Sequence, residues 1–268
     1  MTHTKKILLL SALLITAAAP REPIVIRHDV DPSKYYANAS EHPALFGLYA
    51  LDNGAPECIA TIIDEEWAIT AAHCTEDGMM RDQAQSGKGY PVKVNGKLVK
   101  IDGIITHPTW VGGPSPVAFD MALLHFKTPM SDITPMDIYR KTDEVGKVVD
   151  IFGWGDTGTG VTGIETNDAK FRHAQNRVTA ADNVWLDWVF DSPTESPNKA
   201  LPLEGISGPG DSGSPAFIKV GESLKVAGIS SHQMTDGQPE GTYGVTERYT
   251  RVSSAVEWIE STINSCVH

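Results

Sequence analysis

The chain has 268 residues, a formal net charge of −12, 41% hydrophobic and 21% charged residues, values of a folded protein rather than a disordered or collagen-like one. The acidic balance excludes a protein that lives on nucleic-acid phosphate, which requires a basic surface. With Gly 24 and Pro 17, the composition suits short strands joined by turns better than long helices.

The first element in chain order is an address. Lys5 and Lys6 precede an almost wholly apolar run over 7–19, too short to cross a bilayer but suited to the apolar region of a secretory signal. Ala17, Ala18 and Ala19 offer a cleavage site, so residues 1–19 read as a signal peptide and the mature protein as secreted or periplasmic. No later stretch reaches the roughly 18 continuous apolar residues of a membrane helix, and no stable membrane association is expected. Export permits disulfides, and Cys58, Cys74 and Cys266 are available.

After an N-terminal segment, 20–42, short β-rich runs recur between turns. Runs 58–63 and 67–70 flank the polar turn Asp64-Glu65-Glu66. Runs 90–94 and 98–106 flank Asn95-Gly96, a dipeptide suited to a tight hairpin because both residues tolerate positive φ. Further strands are predicted at 121–126, 147–152, 185–190, 215–220, 224–230 and 244–252, with 128–145 connecting two similar halves, 43–127 and 146–252. Residues 191–210, rich in Pro, Ser and Gly, read as an irregular surface loop. A helix over 253–264 closes the chain, with Ser254 and Glu257 as a capping box and Val252, Val256, Ile259 and Ile263 on one face. The class is all-β, barrels or a sandwich, with functional residues on the connecting loops.

Three short motifs stand out. Thr70-Ala71-Ala72-His73-Cys74 follows an apolar strand, Asp120 precedes the apolar run Met121-Ala122-Leu123-Leu124, and Ser212 sits within Gly208-Pro209-Gly210-Asp211-Ser212-Gly213-Ser214-Pro215. Each alone is an ordinary strand end, turn or loop. Together they supply what acyl chemistry needs: a nucleophile, an imidazole to take its proton, and an acid to fix the imidazole's tautomer. Glycines beside the serine let backbone N–H groups point into one hole, where one such donor is worth about 2.7–4 kcal/mol of barrier.

These motifs resemble the signature segments of the chymotrypsin-like (trypsin family) serine peptidases, in that family's order of His, Asp and Ser. Phe152-Gly153-Trp154-Gly155, Val226-Ala227-Gly228-Ile229-Ser230 and Tyr249-Thr250-Arg251-Val252 extend the resemblance over roughly residues 43–264. It implies two antiparallel Greek-key β-barrels with a C-terminal α-helix, a site in the cleft between them, and a protein or peptide substrate. Carried over residue by residue, it implies His73 as base, Asp120 as its orienting acid, Ser212 as nucleophile, and the Gly210 and Ser212 amides as oxyanion hole. It further implies a Cys58–Cys74 disulfide, and a Ser230 whose hydroxyl supports Asp120 and whose backbone pairs with substrate. Cys266 is then left as a free thiol or an intermolecular partner.

The chain also departs from that pattern. The family's mature chains begin Ile-Val-Gly-Gly, whereas the nearest segment here is Ile24-Val25-Ile26-Arg27 after Glu22-Pro23. Either the N-terminus is trimmed to Ile24, or Asp211 has a partner other than the new ammonium. In the specificity pocket Ile206 stands where trypsins place an Asp, Ser230-Ser231-His232 replaces a Ser-Trp-Gly wall, and Gly208 replaces a Cys. Glu247 at the rear wall would restore a basic preference, and His232 would favour an acidic one. His107, His125 and His173 read as packing or surface residues. No His-Glu-x-x-His or paired-Cys pattern calls for a metal or cofactor, and no feature specifies an oligomeric state. The expected function is a secreted serine endopeptidase. The rival readings are a protease-like binding protein without turnover and an esterase using the same triad.

Overall fold

The computed structural model describes residues 24–50, 55–113, 115 and 117–265. The signal-peptide region, residues 20–23 and Cys266 lie outside them. Six antiparallel strands form the first sheet: Leu45–Leu48, Cys58–Asp64, Trp67–Thr70, Tyr90–Val94, Lys97–Thr106 and Ala122–Phe126. The first three lie side by side. The chain then jumps to the far edge and returns, so that Ala122–Phe126 pairs with Trp67–Thr70. The two edge strands, Leu45–Leu48 and Tyr90–Val94, come together, curling the sheet on itself. Asn95 and Gly96, at φ 46° and 77°, make the tight hairpin that places Val94 opposite Lys97, as their tolerance of positive φ predicts.

The second sheet repeats the design with Val148–Gly153, Arg172–Arg177, Trp185–Val189, Pro215–Val220, Ser223–Met234 and Thr246–Arg251. Taken as a ring, both sheets run first, second, third, sixth, fifth, fourth and back to the first. They differ in where the ring is unpaired. The seam lies between the first and fourth strands in one and between the second and third in the other. These are the two Greek-key barrels expected from the sequence, joined by a connector whose backbone bonds to Ile62 O through Met136 N (2.9 Å) and to Val226 O through Tyr139 N (2.8 Å).

Several elements differ from expectation, among them the strands Leu45–Leu48 and Gly205–Ile206, the latter inside the expected irregular loop 191–210. Arg172–Arg177 is a strand that hydrophobicity does not reveal, because its inward positions are Arg172, Ala174 and Asn176. Arg172 donates to Asp168 (2.9 Å) and Asn176 to the Gly205 carbonyl (3.1 Å). A short helix, Gly78–Gln85, capped by Asp77, buries only Met80 and Ala84. The closing helix runs Val256–Ser265, which leaves Ser254 in the preceding turn rather than at the cap.

The segment before residue 43 is built into the second barrel. Ile24–Ile26 runs parallel to Thr157–Thr159 and antiparallel to Gly205–Ile206, and Ile24, Val25, Ile26 and Tyr35 are buried with Val149, Trp188, Ile206 and Tyr249 in one core cluster. A second cluster spans both sheets, joining Phe46, Ile69 and Leu123 to Phe152, Phe217, Ile229 and Ile259. Among the described residues no helix is long and apolar enough to cross a membrane.

The wholly buried Glu144, at the connector's end, receives a two-pronged ion pair from Arg251 (2.9 and 2.6 Å) and the Ser253 hydroxyl (2.6 Å). Arg251→Met strands that carboxylate and is expected to cost about 3–5 kcal/mol in urea unfolding, most of which returns when Glu144→Met is added.

Candidate active site

The site forms where loops of the two barrels dock. Trp67–Thr70 runs into buried Ala71 and Ala72 and then the single helical turn His73–Thr75. A Cys58–Cys74 disulfide ties that turn to the neighbouring strand, closing a loop worth roughly 3 kcal/mol by chain entropy. From the other side the Ser212 loop presses against the same strands, with Ile59 N donating to Ser212 O at 2.7 Å. The approach is possible only because residue 213 is Gly. Its φ is +78°, and a Cβ there would lie 2.3 Å from Thr70 Oγ1 and 2.4 Å from Ile59 O.

Asp120 is 2% exposed, yet its carboxylate is fully engaged. Oδ1 accepts the His73 backbone N–H (2.9 Å), and Oδ2 meets His73 Nδ1 (2.7 Å) and the Ser231 hydroxyl (2.6 Å). Thr250 Oγ1 holds the Asp120 carbonyl from behind at 3.0 Å. Because a carboxylate faces Nδ1, the proton sits there and Nε2 keeps its lone pair. Burial opposes charge on both partners, but the hydrogen bond between them prevails, raising the His73 pKa and lowering that of Asp120. His73 and Ser212 line one concavity together with Tyr49, Glu57, Cys58, Cys74 and Asp77.

Behind Ser212 lies Asp211, wholly buried, accepting Gly155 N (2.6 Å) and Gly208 N (3.0 Å). Burial pushes its pKa up to about 7, against the pull of backbone N–H groups from Gly208, Gly155, Ile24 and Trp154. The turn through Gly210, at φ +95°, and the bond from Ser214 N to Asp211 O (2.9 Å) give the Ser212 loop its shape.

A second concavity opens on Ser212 from the other side, lined by Ser207, Gly208, Pro209, Ser230, Ser231, His232, Gln233, Glu240 and Glu247. Two expectations change here. Ile206 is not among these residues; it lies buried behind them, paired with Val25. Ser230 does not support Asp120. Its hydroxyl meets Ser207 Oγ at 3.0 Å, and its backbone bonds Gly213 N and Ser214 O (both 2.9 Å). Support comes from Ser231 instead. Adjacent strand residues face opposite ways, and a one-residue slip exchanges the faces; an irregularity between Ser230 and His232 makes the slip easy to commit.

Glu247, 1% exposed, accepts from Ser207 Oγ on Oε1, while Oε2 has no partner among the described residues. Burial drives its pKa well above the usual carboxylate range. His232 bonds the Ser231 hydroxyl (3.1 Å) and sets its ring edge-on to Trp185. Burial, then Arg248, lowers its pKa, which keeps the imidazole neutral. Ser207, Thr250, Gln233 and Glu240 were not anticipated; of these only Ser207, beside the Ser212 motif, carried a local signal. The remaining histidines lie elsewhere. His107 is packed between Phe119 and Trp258 with its pKa pushed down to about 4 by burial, while His125 and His173 pair with Asp102 (2.6 Å) and Asp150 (2.7 Å).

Comparison with known proteins places this geometry in context. The Trypsin family profile matches residues 33–259. An uncharacterized peptidase of Corynebacterium glutamicum (strain R) is 28% identical over 96% of this chain and 82% of its own length. The trypsin Tyr p 3.0101 of Tyrophagus putrescentiae is 27% identical over 97% and 92%, and granzyme B of Rattus norvegicus 24% identical over 97% and 98%. In fold, the chain superposes on mouse neuropsin, a serine protease, with TM-score 0.61 and 16% identity, covering 85% of this chain and 98% of that one.

Followed by NMR, His73 is expected to titrate above an ordinary imidazole in the native protein and below it in Asp120→Asn, where burial persists without the carboxylate. Ser231→Ala moves that titration and Ser230→Ala does not. Since the folded His73 pKa is raised and that of Asp120 lowered, the pair's contribution to stability is full between about pH 4 and about pH 6.5, fades as pH rises through the folded His73 value, and is lost again as pH falls through the folded Asp120 value.

Proposed function

The chain belongs to the trypsin family, and from that premise we propose that it is an exported serine endopeptidase working through an acyl-enzyme intermediate. The observation that carries this reading is the run of hydrogen bonds from Ser231 through the buried Asp120 to His73, whose Nε2 lies 3.8 Å from Cys74 Sγ in a cleft that Ser212 also lines. Ser212 Oγ attacks the peptide carbonyl as its proton passes to His73 Nε2. Asp120 holds the Nδ1–H and stabilises the imidazolium, and the Gly210 and Ser212 N–H groups receive the oxyanion. His73 then protonates the leaving amine, and a water activated by the same imidazole frees the acid product. A protein kept only for binding has no need of an ionised carboxylate held at 2% exposure by three donors, a costly arrangement to retain without chemistry.

The mature chain, in this reading, begins at Ile24. The Ile24 N–H already favours the ionised Asp211 carboxylate, and a free ammonium there would supply the charge that the buried acid lacks.

A serine-reactive fluorophosphonate is expected to label Ser212 of the secreted protein stoichiometrically. Ser212→Ala should lower peptide turnover by about 10⁴-fold or more; an unlabelled serine would leave only the binding reading. The N-terminus has its own test. In protein that retains residues 20–23, folded Asp211 holds its proton longer than the unfolded chain does, so stability should decline as pH rises from 3.8 through about 7. In protein starting at Ile24 the ammonium lowers the Asp211 pKa, and urea midpoints should lose that decline.

A further inference from the structure

We propose that the chain, when Cys58 and Cys74 are thiols rather than a disulfide, binds a soft divalent cation such as zinc through Cys58, Cys74 and His73. The ion would occupy the lone pair that His73 needs as base, a consequence that rests on the peptidase reading of the same cleft. The ligand atoms of the three residues lie within 4.8 Å of one another, and His73 Nε2 is aimed at the sulfurs, 3.8 Å from Cys74 Sγ. Two thiolates and one imidazole suit a tetrahedral ion at about 2.3 Å from sulfur and about 2.0–2.1 Å from nitrogen, with a fourth position left to water. Two sulfurs sharing such an ion stand roughly 3.7 Å apart. Side-chain rotation reaches that span from Cα atoms 6.1 Å apart, so the backbone need not move.

The surroundings support the ligands. Asp120 faces His73 Nδ1 at 2.7 Å, and a carboxylate on the far ring nitrogen is what fixes the tautomer of a metal-binding histidine and strengthens it as a donor. The Cys74 carbonyl accepts the Tyr49 hydroxyl at 2.5 Å, which steadies the turn that carries both His73 and Cys74. Both cysteines line the cleft that His73 and Ser212 share, with Glu57 and Asp77 beside them and no Lys or Arg to repel a cation. The dithiol is the state in which the chain is made. It is regained when a dithiol reductant gives two electrons and two protons to the Cys58–Cys74 bond and itself closes to a disulfide. Binding then exchanges the two thiol protons for the ion. A disulfide oxidant that takes up two electrons, with two protons from water, closes the bond again, expels the ion and frees Nε2 for the Ser212 proton.

The test uses mature protein carrying Cys266→Ser, so that only the two sulfurs in question respond, compared as the disulfide and after reduction with dithiothreitol and anaerobic desalting. Equilibrium dialysis against zinc is expected to find one ion per dithiol chain and none on the disulfide form. Cobalt(II) in place of zinc should give the thiolate charge-transfer and ligand-field absorption of a tetrahedral site. Asp120→Asn leaves all three ligands in place and should weaken zinc binding to the dithiol by about 10–100-fold. An unfolded chain holding zinc by its cysteines alone would not feel that change, so the comparison judges the site even if opening the disulfide loosens the fold. Zinc should also block fluorophosphonate labelling of Ser212 in the dithiol protein, and a chelator should restore it. No uptake, equal uptake by the disulfide form, or uptake indifferent to Asp120→Asn each overturns the site. Zinc bound with Ser212 still labelled overturns the silencing. Zinc bound as expected to a protein whose Ser212 is labelled in no state supports the metal site and overturns the peptidase reading instead.

Discussion

A carboxylate cannot stay ionised and buried unless donors surround it, and at Asp120 those donors come from both barrels. The first contributes the backbone N–H and imidazole of His73, the second the hydroxyl of Ser231, while Thr250 holds the Asp120 main-chain carbonyl. Both barrels thus contribute donors to a group that stays charged while buried. Closing the interface and assembling the site are therefore one event, and the free energy of docking is coupled to the electrostatics of the imidazole. The serine loop obeys the same logic. It grows from the second barrel but takes its position from Ile59 and Thr70 of the first.

The repeated ring order sharpens this picture. Two barrels built on one plan meet so that the His73 and Asp120 loops of one face the Ser212 loop and the Ser223–Met234 strand of the other. The strand Ile24–Ile26 adds a third layer behind the serine loop, wedged between Thr157–Thr159 and Gly205–Ile206. The backbone behind Ser212 thus depends on the first described residues of the chain, although Ile24 precedes that serine by 188 residues.

How much of this the sequence disclosed follows from where the physics is local. The Asn95-Gly96 hairpin, the paired halves and the three motifs were legible because turn chemistry and motif order depend on near neighbours. The Arg172–Arg177 strand was not, since its inward Arg172 and Asn176 bond to Asp168 and to the distant Gly205 carbonyl rather than forming an apolar face. The exchange of Ser230 for Ser231 has a similar cause. Two adjacent serines look alike in a string, and only the pairing register decides which one turns toward Asp120. The bonds that Gln233 makes to Ser207 O and Gly241 N (both 2.8 Å) depend on a loop conformation that no local pattern announces. Glu247 was visible as a candidate, but its orphaned oxygen required the neighbours to be in place.

The closeness of Gly213 to Thr70 reaches further than the turn itself. Thr70 is anchored to the Ile59 carbonyl (2.7 Å) and lies three positions before His73 in the chain. A methyl group at 213 would act as a wedge, and the displacement would travel along a stiff strand to the imidazole rather than dissipate in solvent. In the proposed reaction, proton acceptor and attacking oxygen are thus parts of one rigid mechanical unit, gauged by the thickness of a missing side chain.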